Sequence, residues 1–305
     1  MSAHAHSRHG HHHHGHGPLH LEGGDWRYAA AIGLNLVFVA TEAGFGLWSN
    51  STALLADAGH NLSDVLGLAL AGGAAWLARR RGTARRTYGF GKATILAALA
   101  NAVLLAVACG AIALEAGQRL LEPRPVEARV VIAVAAAGFV INFATAMLFF
   151  RGRGTDVNQR GAFLHMAADA GVSLGVAIAG LIILATGLTW IDPLVSLGIV
   201  AVILAGTWGL LRESTDLAMD TAPAGIDITA VQRFLGGLPG VSAVHDLHVW
   251  NTSATETALT AHLVREAGAD GAFLSETLGE IRARFGIRHA TLQVEGAALD
   301  GCPDC

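Results

Sequence analysis

Six stretches of this chain, residues 26–48, 52–78, 93–120, 130–150, 162–186 and 190–211, are apolar over about twenty residues or more, the length an α-helix needs to cross the hydrocarbon core of a bilayer. In lipid every backbone polar group must be bonded within its own segment, so such stretches are restricted to helices. Composition agrees: 52% of the 305 residues are hydrophobic and 14% charged, against about a quarter charged in soluble domains. From Arg212 onward charge density rises and no stretch is long enough to span. The chain therefore reads as an α-helical membrane protein with six transmembrane helices. Residues 1–25 form a disordered His-rich tail, 26–212 the membrane domain, and 213–305 a soluble domain for metal binding and dimerisation. Many of the 38 glycines fall inside the apolar stretches, as close helix packing in membranes favours.

Orientation follows from the basic residues of the short loops, which stay on the cytoplasmic side. The loop after the second stretch carries Arg79, Arg80, Arg81, Arg85, Arg86 and Lys92, and the loop after the fourth carries Arg151, Arg153 and Arg160. Residues 49–51 and 187–189 have no basic residue, and the remaining loop balances Arg119, Arg124 and Arg129 with Glu122 and Glu127. Both termini are expected in the cytoplasm of a multi-pass membrane protein, a bacterial inner-membrane one in this reading. A net charge of -4 and the juxtamembrane placement of the arginines argue against nucleic acid as a partner. The first twenty residues lack the apolar core of a cleavable signal. The three cysteines, Cys109 within the third stretch and Cys302 and Cys305 in a C-x-x-C, do not make a disulfide framework.

Polar residues inside the apolar stretches mark function by default, because burying a charge in a membrane is costly. His60 and Asp64 stand four apart in the second stretch, and His165 and Asp169 repeat that spacing in the fifth. Residues at i and i+4 share a helical face. Two such helices facing each other would offer two imidazoles and two carboxylates, a set suited to a tetrahedral zinc-like ion and poor for magnesium or calcium, which take six or more oxygens. With neutral imidazoles, a divalent ion plus Asp64 and Asp169 sums to zero. When the ion leaves, two carboxylates face each other in a low-dielectric setting, which protons relieve, so metal and proton compete for one site. Asn35, Glu42, Asp57, Asn101, Glu115, Asn142 and Ser173 are further polar residues in the spans that could orient ligands or line a path. Asp57, three residues before His60 on its face, leads that group.

Nine of the fifteen histidines fall within the first twenty residues, in a Gly-interleaved tract able to bind metal loosely. In the tail, Asp227 caps a helix to about Leu238, strands are expected over 241–250 and 256–264, a helix over 273–285 and a strand over 288–295. This αββαβ order predicts a two-layer α/β sandwich. His245, His262, His289, Glu295, Cys302 and Cys305 are candidate zinc-type ligands in it.

The run from Ser51 through Asp64, the pair His165 and Asp169, and the segment His245-Asp246-Leu247-His248-Val249-Trp250 resemble the cation diffusion facilitator family, zinc transporters that exchange metal for protons. The resemblance covers nearly everything from Trp26 to Glu295. It implies a homodimer with six membrane helices and a ferredoxin-like cytoplasmic domain, with His60, Asp64, His165 and Asp169 as the transport site. A histidine at the position of His60 implies a preference for zinc over cadmium. It also implies cytoplasmic metal at His262, His289, Glu295 and the Cys302/Cys305 pair, with the His-rich amino terminus contributing in some members. Two departures stand out: the loops after the second and fourth helices contain no histidine, and Thr94 stands where many relatives have glutamate.

The expected function is efflux of a divalent cation, zinc first, against protons across the lipid bilayer by alternating access. An intramembrane zinc hydrolase is the rival enzyme class, but no His-Glu-x-x-His, spare base or nucleophile accompanies the quartet, and four protein ligands leave no open position for water. A non-transporting metal sensor, read out by the tail, is the third reading.

Overall fold

The computed structural model describes residues 26–150, 157–268 and 270–296. The His-rich tract, Arg151, Arg153, Cys302 and Cys305 lie outside the described residues. Six long helices come first: α1 (Trp26–Trp48), α2 (Thr52–Ala78), α3 (Lys92–Leu121), α4 (Ala128–Phe149), α5 (Val157–Thr186) and α6 (Ile191–Ala218). Then follow α7 (Ile228–Gly236), β1 (Val241–Asn251), β2 (Thr257–Arg265), α8 (Gly271–Phe285) and β3 (His289–Glu295), the αββαβ order expected. Helices α2 to α6 are each long and apolar enough to cross a membrane, and the described part of α1 adds a shorter apolar segment, Leu36–Trp48. Two helices outrun their apolar stretches. α6 continues through Arg212, Glu213 and Asp216, and α5 begins five residues early, taking in Arg160. Hydropathy reports the lipid-facing length, whereas a helix continues wherever its backbone bonds remain favourable.

By internal contacts the described chain divides into two compact units. One combines residues up to Leu62 with Cys109–Ala201, and the other combines Ser63–Ala108 with residues from Val202 on. In the first, α4 and α5 pack closely along their length because glycine removes the side chain at the crossing. A Cβ on Gly138 would stand 2.8 Å from Phe38 Cζ on α1 and 3.2 Å from Ser173 Oγ on α5. The N-terminus of α2 is tied to the start of α6. Asp192, 1% exposed, accepts from the Thr52 backbone N–H at 2.6 Å, from Thr52 Oγ1 at 2.8 Å, from the Ala53 N–H at 3.4 Å and from Ser51 Oγ. An acidic side chain thus caps a helix that is not its own, satisfying orphan N–H groups and the positive end of the helix dipole. Sequence reasoning missed this, since caps are sought in the residues just before a helix.

In the second unit, the C-terminal domain is a three-stranded sheet ordered β1-β2-β3, antiparallel between β1 and β2 and parallel between β2 and β3. The parallel pair needs the crossover that α8 supplies. Asp227 caps α7 by accepting from Thr229 N and Ala230 N, and Asp270 caps α8 through Phe273 N at 2.7 Å. Gly286, at φ +71°, ends α8 in the left-handed conformation that a Cβ disfavours. Val231 and Leu235 of α7, Val249, Leu259 and Leu263 of the sheet, and Ile281 of α8 form the core. The loop before α3 and the start of α3 belong to this unit. Lys92 Nζ meets both oxygens of Asp220 at 2.7 and 2.8 Å. Thr94 uses its hydroxyl to donate to Gly91 O at 2.9 Å and to accept from Ala254 N at 3.0 Å.

Candidate metal centres

Two clusters of imidazole and carboxylate groups emerge from these elements. The first lies among the long helices. His60 on α2 and His165 on α5 both face Asp169, with His60 Nε2 3.4 Å from Asp169 Oδ1 and His165 Nε2 3.6 Å from Asp169 Oδ2. The two imidazole centroids are 6.1 Å apart, edge to face. The Asp169 side chain is 3% exposed. Two ligands of a tetrahedral ion with bonds of about 2.0–2.1 Å stand about 3.4 Å apart, so each imidazole nitrogen already sits at ligand spacing from its own carboxylate oxygen. Asp64 follows His60 by one turn of α2, half-buried, and helical spacing carries it along the face that His60 presents.

Next to this cluster lies a second layer of polar groups. Asp57 and Ser173 are fully buried, and Ser173 Oγ donates to Asp57 Oδ2 at 2.9 Å. Glu42, also fully buried, accepts from Asn61 Nδ2 at 3.3 Å. Of the other polar residues in the spans, Glu115 pairs with Arg119 at 2.8 Å near the end of α3. Asn142 is 4% exposed, and Asn101 packs against Gly67. The side chain of Asn35 lies outside the described residues.

The second cluster is built across the C-terminal sheet. His245 and His262 are paired directly across β1 and β2, their centroids 5.1 Å apart. Val264 of β2 pairs with Glu295 of the parallel β3, and the alternation of side chains brings Glu295 to the face of His262. His262 Nδ1 is 3.0 Å from Glu295 Oε1 and His245 Nε2 is 3.4 Å from Glu295 Oε2. Glu295 is 5% exposed in its side chain, and its Oε2, the His262 Nδ1 and both His245 nitrogens are buried without a hydrogen bond. One ligand atom from each of the three lies within 4.8 Å of the others. Unbonded lone pairs at this spacing fit a zinc-type ion, with His245, His262 and Glu295 as its holders.

A bulge adds a fourth group. Pairing slips between His245 and His248, and Asp246 adopts φ +51° there, which is strained for a residue with a Cβ. Regular alternation would turn Asp246 away from His245. The bulge instead brings Asp246 Oδ2 to 3.5 Å from His262 Nε2, while His248 Nε2–H meets Oδ1 at 2.8 Å. The hydrogen bond from His248, then the nearby charge of His248, His262 and His245, holds the Asp246 carboxyl below the usual carboxylate range. Sequence reasoning did not select Asp246 as a ligand, because only the pairing register shows the bulge. The structure places His289 apart from these residues. It pairs with Ala258 at the opposite end of β3 from Glu295 and meets Tyr88 edge to face at 5.4 Å, so it does not join the cluster.

Comparison with known proteins extends these observations. Residues 28–217 match the cation efflux transmembrane domain, and residues 223–297 match the cation efflux protein cytoplasmic domain. The zinc transporter ZitB of Escherichia coli is 36% identical over 282 residues, covering 92% of this chain and 90% of that protein. The metal cation efflux system protein CzcD of Cupriavidus metallidurans is 32% identical over 285 residues, covering 92% and 90%. The cadmium, cobalt and zinc/H(+)-K(+) antiporter of Bacillus subtilis is 32% identical over 269 residues, covering 86% of each. A membrane domain and a C-terminal domain matched in sequence order, over nearly the whole described chain, place this protein in the cation efflux family, a family of multi-pass membrane transporters and not of enzymes.

Proposed function

We propose that this protein exports divalent metal, zinc foremost, from the cytoplasm in exchange for protons, with His60, Asp64, His165 and Asp169 as the transport site. The observation that carries this reading is the buried Asp169 carboxylate, which presents one oxygen to His60 and the other to His165 at ligand spacing. Asp64 supplies the second negative charge from the next turn of α2. Zinc and two carboxylates sum to zero, so the loaded site is neutral inside the bilayer. As the ion departs, protons compensate the exposed carboxylates, and alternating exposure of the site to the two sides couples the flows. The names of the relatives, which include zinc transport and a proton-linked antiporter, support this direction.

The basic loop after α2 supports cytoplasmic termini and insertion in a bacterial inner membrane. The C-terminal domain serves as the dimerisation element of a homodimer, in keeping with the description of the domain it matches. His245, His262 and Glu295 hold a regulatory zinc, with Cys302, Cys305 and the His-rich tract as accessory metal donors. The hydrolase reading gains no support, since the quartet uses every tetrahedral position for protein ligands. The test is zinc uptake into proteoliposomes under an imposed pH gradient. Wild-type protein should accumulate zinc and dissipate the gradient, and Asp169→Ala should do neither. Uptake by Asp169→Ala at the wild-type rate would overturn the proposal.

A further inference from the structure

Glu42 and Asp57 form a buried carboxyl pair that the metal quartet does not use. Both are 0% exposed, and they lie within hydrogen-bonding reach of each other across α1 and α2. One oxygen of each is satisfied, Glu42 Oε2 by Asn61 Nδ2 and Asp57 Oδ2 by Ser173 Oγ. The remaining oxygens, Glu42 Oε1 and Asp57 Oδ1, are buried and receive no donor. No lysine or arginine among the described residues pairs with either. Two adjacent carboxylates in that setting repel each other with nothing to offset the cost. A carboxyl O–H between them removes a negative charge and bonds both bare oxygens at once. Burial, mutual approach and complementary unsatisfied atoms are together what two acids show when they share one proton.

The placement of the pair ties that proton to the metal site. Ser173 is one turn beyond Asp169 on α5, and Asp57 is one turn before His60 on α2. The Asp57–Ser173 bond is therefore a rung next to the His60–Asp169 contact on the same two helices. The titratable groups whose charge reaches Asp57 are Glu42 on α1, His60 on α2 and Asp169 on α5. The polar side chains bonding the pair, Asn61 and Ser173, are neutral.

We propose that Glu42 and Asp57 are a proton site of the transporter, distinct from the metal ligands, which releases its shared proton to solvent when a divalent ion enters the quartet and regains one when the ion leaves. The balance is simple: the O–H bond of the acid breaks, its electron pair stays on the carboxylate, and the incoming dication cancels the negative charge of the quartet and with it the repulsion that had kept the proton on the pair. This inference rests on the quartet as the transport site, and the two are separated by what they do to zinc itself.

The test counts protons released per zinc bound by the purified full-length protein in weak buffer, beside transport in proteoliposomes. Glu42→Gln and Asp57→Asn keep size and hydrogen bonding but fix the neutral state. Each should bind zinc within about threefold of wild-type affinity yet release about one proton fewer per ion. Uptake driven by a pH gradient should fall by about tenfold or more, while zinc-for-zinc exchange, which needs no proton, continues. Glu42→Asp should recover part of the gradient-driven uptake. Wild-type proton release and an unchanged pH profile in Glu42→Gln would overturn the proton site. If Asp57→Asn does not fold, the Glu42 variants decide alone. Zinc binding at the quartet by Asp169→Ala would instead overturn the metal site on which the inference stands.

Discussion

The helical quartet and the sheet cluster use the same chemistry, two imidazoles about a buried carboxylate, but assemble it differently. In the membrane domain the ligands come as i, i+4 pairs, so one helical turn fixes each pair before any tertiary contact forms. In the C-terminal domain His245, His262 and Glu295 come from three strands, and none is placed by its own neighbours. The acid environments differ as well. Asp169 is backed by a second buried layer, Asp57 with Ser173 and Glu42 with Asn61, whereas beside Glu295 it is His262 that meets a further, partly exposed acid, Asp246, itself paired with His248. At Asp169 the groups that offset a buried carboxyl come from the helices themselves. A helical turn sets ligand-type spacing locally, whereas strand register sets it only once the sheet has formed.

The largest expected effect breaks the comparison at its helical side. His60→Ala or Asp169→Ala should lower zinc flux in proteoliposomes by about a hundredfold or more, since each removes a ligand from a four-ligand site. The sheet cluster should be untouched, so equilibrium dialysis of Asp169→Ala should still find zinc on the C-terminal domain. In that background, His262→Ala should weaken the remaining zinc by about a hundredfold, because His262 faces both Glu295 and Asp246. Retention of that zinc would show that the sheet cluster is not the site.

Asp192→Ala tests whether the start of α2 is held from outside. It strips the acceptor from Thr52 N, Ala53 N and two hydroxyls, so thermal unfolding in detergent should show a loss of about 1–3 kcal/mol. The smallest effect concerns Asp246. Its folded-state value lies below the ordinary one, so the stabilisation it gives is complete above about pH 3.9 and fades as pH falls through the lowered folded value. His248→Ala removes the main cause. Asp246 should then titrate nearer its ordinary value by NMR, and acid unfolding should shift slightly upward in pH.

Much of this was legible in sequence for identifiable reasons. The six helices follow from apolar length, and the αββαβ order from strand alternation and the Asp227 cap. His60 with Asp64 and His165 with Asp169 stand out because a four-residue spacing on a helix is a three-dimensional statement written in one dimension. The separation of His289 from His245, His262 and Glu295 was not legible, because residue type and position near a strand end do not say which end meets its neighbours. Seven residues of β3 carry it away from Glu295, to Tyr88. The bond of Thr94 to Ala254 was not legible either, since it joins residues far apart in sequence.

By itself the sequence determined the membrane class, the element order and the His/Asp pairs that a single helix can align, because hydropathy and the 3.6-residue turn act locally. Only the tertiary structure decided that α2 and α5 bring His60 and His165 to the same carboxylate, that Glu42 and Asp57 meet, that Asp192 caps α2, and that a bulge turns Asp246 toward His262. Each of these depends on a contact between residues far apart in the chain, fixed by packing and strand register, and neither is encoded in any one segment.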